Sequence, residues 1–179
     1  MKTCLPTVLV LASGRGERFR ASGGQGSKLQ ALLAGRPVLD RTLDAVRASG
    51  LPWHVEQEGH AGMADSIAAA VRATRSAAGW LVLPGDLPLM RADTLRAVAQ
   101  ALVQHDTVVP VYLQQPGHPV GFSSGLGHAL ETLSGPGGAA SVLKLHPPYE
   151  LHVSDVGCIM DIDTVADLAM AERRLTNES

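Results

Sequence analysis

Residues 80–83, Trp-Leu-Val-Leu, form an unbroken apolar run that stops at Pro84 and Gly85, and the next residue is Asp86. A run without polar alternation cannot turn one face to water. As a strand it must be covered on both sides, which is the situation of a strand in a parallel sheet with helices above and below. The expected class is therefore α/β. The same reading puts Asp86 at the strand's carboxyl end, the edge at which open α/β sheets bind ligands. A carboxylate held there on stiff backbone suits a hard cation such as Mg²⁺. It also suits the plainer duty of capping its own turn.

A second apolar run, TVLVLA over residues 7–12, ends in Ser13-Gly14-Arg15-Gly16-Glu17-Arg18-Phe19, and glycine richness continues through residues 22–27 to Lys28. Glycines let backbone N–H groups close on an anion, and Arg15, Arg18 and Lys28 supply positive charge beside them, so a triphosphate is the natural guest. Spacing removes the familiar alternatives. The dinucleotide fingerprint needs a third glycine where Phe19 stands, and the P-loop needs Gly and Lys adjacent where Ser27 intervenes. Gly121-Phe122-Ser123-Ser124-Gly125 has the form of a nucleophile elbow. Its catalytic His would have to follow an acid downstream, and no His follows Asp155, so Ser123 reads as a turn residue.

Helices are expected at residues 37–49, 63–77, 92–104 and 125–133, with apolar residues on one stripe of each, and a terminal helix carries Val165, Leu168 and Leu175. Strands are expected at 53–55, 107–113 and 149–153, with Pro110 arguing for an edge or an irregular pairing. The glycines of residues 134–138 suggest a mobile loop. In the stretch GHPVGF, residues 117–122, His118 is the histidine placed for a site role, against the alternative of a hydrogen-bonded loop residue. The other six histidines show no metal-ligand spacing and read as structural. Asp163 or Thr164 can cap the terminal helix, which leaves Asp161 or Asp163 free to face a metal.

Strand and helix alternate throughout, and 179 residues with 45% hydrophobic content suit a single domain over residues 1–179. A net charge of −2 excludes a basic nucleic-acid surface. Cys4 and Cys158 can form at most one bridge, which fits a reduced cytoplasm better than a secreted scaffold. The apolar stretch after Lys2 is too short for a signal peptide or a membrane span, so no membrane role is expected.

Four stretches in order, LASGRGERF with Lys28, GDLPL at 85–89, GHPVGF at 117–122 and DIDT at 161–164, resemble the molybdenum cofactor nucleotidyltransferases. The resemblance implies a three-layer α/β/α, Rossmann-like fold with a mostly parallel sheet. It also implies a nucleoside triphosphate held by Leu11, Ala12, Ser13, Gly14, Arg15, Gly16, Lys28, Gly62, Ser66 and Gly85. Arg18, Lys28 and Asp86 would be catalytic, Mg²⁺ would be held by Asp86 with Asp161 or Asp163, and His118 would contact the acceptor, a phosphorylated pterin. Product would pass to a molybdoenzyme or its chaperone. Ser13 stands where guanine-using members have glycine, and Gly62-Met63-x-x-Ser66 resembles the cytidylyl pattern, so the implied donor is CTP. A relative using another nucleotide or acceptor, or a non-catalytic nucleotide-binding module, would carry the same motifs. The chain differs from the family pattern in the ten-position separation of Arg18 and Lys28, in a short region at 53–62, and in residues 134–140, which lack an acid and two arginines.

Overall fold

A computed structural model describes residues 5–177. The chain opens with β1 (Thr7–Leu11), a short α1 (Glu17–Ala21), the hairpin β2 (Leu32–Leu33) and β3 (Arg36–Pro37), and α2 (Val38–Ser49). It continues through β4 (Trp53–Glu56), α3 (Met63–Ala73), β5 (Gly79–Pro84) and α4 (Ala92–Ala101). Then come β6 (Thr107–Tyr112), β7 (Gln115–Pro116), β8 (Val120–Ser123), α5 (Gly127–Glu131), α6 (Ala140–Leu145), β9 (Tyr149–His152) and α7 (Val165–Asn177).

One seven-stranded sheet runs β4-β1-β5-β8-β6-β7, with β9 on the other side of β6. β1 pairs in parallel with β4 and β5, and β9 in parallel with β6, while β8 and β7 enter antiparallel. The apolar run lies in mid-sheet as its lack of polar residues requires. Alternate residues feed opposite cores: Val8, Val10, Leu81 and Leu83 pack with α2 and α4 on one face. Leu9, Trp80 and Val82 pack with α3 and α5 on the other. This is the three-layer α/β/α arrangement. Trp80, the one indole buried there, donates to Thr74 Oγ1 at 3.0 Å, so its N–H is not left without a partner.

Several expectations need correction. Pro110 is not on an edge. It lies between the β8 pairing at Thr107 and Val108 and the β7 pairing at Val111 and Tyr112, so the missing N–H falls in the break between two partners. The pairing is irregular, as proline demands. Residues 120–123, where no strand is expected from the sequence, form β8. Its Gly121 passes so close to α4 that a Cβ would stand 2.9 Å from Val98. The helix at 63–77 stops at Ala73, and the one at 125–133 is a 3₁₀ turn followed by five residues. On the terminal helix the buried stripe is Leu168, Ala171 and Leu175, with Val165 exposed; it packs with Phe19, Leu33, Val38 and Ile162. Ser123 ends β8 and donates to Asp106.

Cys4 lies outside the described residues. Cys158 is a free, buried thiol, with burial first and Asp155 second pushing its pKa up to about 11. Among the described residues no helix is long and apolar enough to cross a membrane.

Candidate active site

Leu11 pairs with Pro84 and with Glu56, so β1, β5 and β4 all end at one edge, and the loops carrying the motif residues leave from it together. Gly85 N–H donates to Leu11 O at 2.9 Å and Gly85 O accepts from Thr42 Oγ1 at 2.9 Å. Both backbone groups of Gly85 are thereby used to lock the two loops. Asp86 follows, 8% exposed, and its carbonyl accepts from Ile162 N–H at 2.9 Å, which draws the distant DIDT segment onto it.

Lys28 Nζ lies 2.6 Å from Asp86 Oδ2 and 2.8 Å from Asp163 Oδ1, and Arg18 reaches Asp163 Oδ2 at 2.6 Å. The ten-position separation of Arg18 and Lys28 is absorbed locally. Gly16 adopts φ +61° ahead of α1, a conformation that favours glycine, and its Cα face lies against Lys28. Residues 22–24 fold back on the end of α1 through Ser22 and Gly24 bonds to Phe19 O. Lys28 is brought to the carboxylates. At the other end of the chain Thr164 caps α7: Asp167 N–H donates to Thr164 Oγ1, and the Asp167 carboxylate accepts from Thr164 N–H. This reciprocal box leaves the Asp163 side chain free for Lys28 and Arg18.

Burial works against the Lys28 ammonium, but the charges and hydrogen bonds of Asp86 and Asp163 outweigh it and hold its pKa above the ordinary value. Desolvation likewise would raise Asp163, but Lys28 and Arg18 hold it below the usual carboxylate range. Asp161 goes the other way, raised by desolvation and then by the negative charge of Asp86 and Asp163. Asp86, Asp161 and Asp163 each place an oxygen within 4.8 Å of the others. Asp86 Oδ1 is buried with no hydrogen-bond partner among the described residues. An all-oxygen donor set with an orphaned buried oxygen and surplus negative charge fits a hard divalent cation.

Around this centre lie two adjoining hollows of about 280 Å³ each, which share Gly14, Arg15 and Lys28. The first is walled by Leu11, Ser13, Gly62, Ser66 and Asp86, together with His60, Ala61, Met63 and Pro84. The second is walled by Gly16, Arg18, Phe19 and Asp163. Ala12 and Gly85 line neither; Ala12 packs on the core below and donates to Glu56 O at 2.8 Å. His118 donates its backbone N–H to Cys158 O, while its Nδ1 is buried without a partner among the described residues. Burial lowers its pKa, against the pull of the nearby Asp86 charge.

The glycine segment 134–138 is pinned rather than loose. Gly135 O accepts from Ala64 N–H at 3.1 Å and Gly135 N–H donates to Asp65 Oδ2 at 3.1 Å, so the segment closes over the start of α3. His60, read from sequence as structural, lines the first hollow. The sheet rule that identified the Asp86 loop applies equally to the loop after β4, and would have found it.

Residues 44–152 match the family described as the MobA-like NTP transferase domain. Among solved structures, Rv0371c from Mycobacterium tuberculosis H37Rv is similar with a TM-score of 0.78 at 25% identity, over 94% of this chain and 98% of that one. A second crystal structure of Rv0371c, at 26% identity and a TM-score of 0.73, is a complex with manganese. Molybdopterin-guanine dinucleotide biosynthesis protein A from Archaeoglobus fulgidus shares the fold, with a TM-score of 0.69 at 17% identity over 96% of this chain and 98% of that one. The bifunctional protein GlmU of Xylella fastidiosa (strain 9a5c) is 26% identical over 152 residues, which are 72% of this chain and 31% of GlmU. The chain thus spans less than a third of the length of that curated relative.

Proposed function

The chain belongs to the family of MobA-like NTP transferase domains, and from that premise we propose that its cleft transfers CMP from CTP to the terminal phosphate of molybdenum cofactor, releasing pyrophosphate. The observation that carries this reading is the meeting of Asp86, Asp163 and Lys28 at the seam of the two hollows. One hollow has the residues of a nucleoside pocket. The other has those of a polyphosphate channel.

A phosphate monoester is anionic at neutral pH, so an acceptor oxygen can bond to the α-phosphorus without a general base. The α–β bridging bond breaks, and its electron pair leaves on pyrophosphate. Such a transfer asks for positioning and charge neutralisation rather than a side-chain nucleophile. Lys28 and Arg18 stabilise the departing pyrophosphate, and the backbone of Ser13 to Gly16 orients the phosphates. Asp86, with Asp163 or Asp161, would hold Mg²⁺, which when bound neutralises charge on the attacking and leaving oxygens. His118, whose ring Nδ1 has no partner among the described residues, would hold the acceptor.

A transferase of the same chemistry with another phosphorylated acceptor is the second reading, favoured by the absence of acid and arginine side chains from residues 134–140. The test is pyrophosphate release with CTP, GTP, ATP and UTP in Mg²⁺, each with molybdenum cofactor, with a panel of other phosphorylated small molecules and with no acceptor. Release with CTP that needs the cofactor supports the first reading. Nucleotide binding without release under any pairing would sink both.

A further inference from the structure

A second group of metal-ligating side chains stands at the carboxyl end of β4, apart from the Asp86 centre. Glu56 ends the strand and is 7% exposed, and Glu58 and His60 follow at alternate positions. One ligating atom from each of the three lies within 4.8 Å of the other two. The surroundings of the Glu56 carboxylate are unusual. His60 Nε2 is 3.2 Å from Oε1 and His54 Nε2 is 3.6 Å from Oε2, and both nitrogens are buried with no hydrogen-bond partner among the described residues. Glu58 N–H donates to Glu56 Oε1 at 3.0 Å, which turns the chain so that Glu58 and His60 stand beside the same carboxylate. Ligand atoms sharing one tetrahedral metal, bound at about 2.0–2.2 Å, stand roughly 3.3–3.6 Å apart, and the Glu56–His60 separation is close to that spacing.

We propose that Glu56, Glu58 and His60 form a second metal site, for a borderline divalent cation of the Zn²⁺ type, with His54 orienting the outer oxygen of Glu56. An imidazole with two carboxylates selects such ions, whereas the all-oxygen set at Asp86 selects hard ones. The chain thus carries two centres of different preference. Three protein ligands leave a coordination position open, the usual arrangement where a metal meets solvent or a small ligand. His54, 3.6 Å from the other oxygen of Glu56, would close on it in the loaded site and supply the outer support that ligating groups ordinarily receive. Occupancy bears on the cleft, because His60 is part of its wall and Glu56 O holds the Ala12 amide at the root of the nucleotide loop. Nothing in this depends on the transfer reaction or on its acceptor.

The test is Co²⁺ titration of metal-stripped full-length protein in excess Mg²⁺, followed by visible absorption, since nitrogen-containing sites of low coordination number absorb far more strongly than all-oxygen octahedral ones. One equivalent should bind with strong bands and be displaced by Zn²⁺. The bands should vanish in His60→Ala and in Glu58→Gln, two side chains near the surface whose loss leaves the fold intact by circular dichroism. His54→Ala should keep them with affinity lowered about 10–100-fold. Absence of saturable bands in the parent protein, or bands that survive His60→Ala, would overturn the proposal.

Discussion

Asp86 offers one oxygen to Lys28 and keeps the other buried without a partner. An amide at this position would fill the same space but bring no charge, so Asp86→Asn is expected to lower turnover by at least ~100-fold while the protein still melts cooperatively. Turnover within a few-fold of the parent would reduce Asp86 to a turn residue. Ser13 poses a different question. Its hydroxyl meets that of Ser66 at 3.1 Å across the mouth of the first hollow, so the two positions associated with a pyrimidine are in contact. Under the proposed function, a side chain there would take space that a purine would use. CTP should be preferred to GTP by about tenfold in kcat/KM, a difference near 1.4 kcal/mol that one steric contact can supply. Parallel kinetics with Ser13→Gly check it: the gap should narrow, and a parent GTP value equal to the CTP value would remove the cytidylyl assignment.

At the scale of elements, the start of α3 and the glycine segment 134–138 act as one piece. A Cβ on Gly62 would stand 2.3 Å from Gly135 O, which is backbone and cannot swing aside like a side chain end. Gly62→Ala must therefore push the segment off, breaking the bonds from Ala64 and to Asp65. A loss of roughly 1–3 kcal/mol in stability is expected, together with a several-fold rise in nucleotide KM and faster amide exchange at residues 134–138. Unchanged exchange there would show the segment to be independent of α3. Elements differed in how far the sequence disclosed them. β1 and β5 are legible because nothing but double coverage accommodates their apolar runs, and α2 because its stripe ends in a proline and a glycine. β8 is hidden because Gly121, needed for close passage under Val98, weakens every strand signal around it. α6 and the pinning of 134–138 depend on contacts across the chain that no local pattern encodes. The motif residues of the site were readable for the opposite reason, since their chemistry is specified by type and order. His60 sits in a segment without periodicity and is legible only through its place at the carboxyl end of β4.

Over the whole molecule, the site gathers residues 13–18, 28, 86 and 161–163, and Ile162 is both a core residue and the donor to Asp86 O. Two of the described cores lie on opposite faces of one sheet, and α2, which packs on that sheet, also supplies Val38 to the third core that α7 closes, so thermal unfolding should show a single transition by far-UV and near-UV dichroism alike. Two resolved transitions would divide the chain. The same convergence of distant residues sets a rule for what can enter the cleft. Lys28 lies between Asp86 and Asp163, two of the carboxylates a divalent cation would use, and offsets part of their charge. Lys28 can release those carboxylates cheaply only when another anion waits for its ammonium, and a triphosphate is such an anion. Cation and nucleotide must then each raise the other's affinity by the same factor, since linkage between two ligands is reciprocal. Calorimetry should find Mg²⁺ binding weak alone and stronger with a non-hydrolysable triphosphate. In Lys28→Ala the cation should bind more tightly on its own, triphosphate should lose more affinity than monophosphate, and the mutual enhancement should shrink. A lysine that does not leave would give the variant no such gain, and the parent no such coupling.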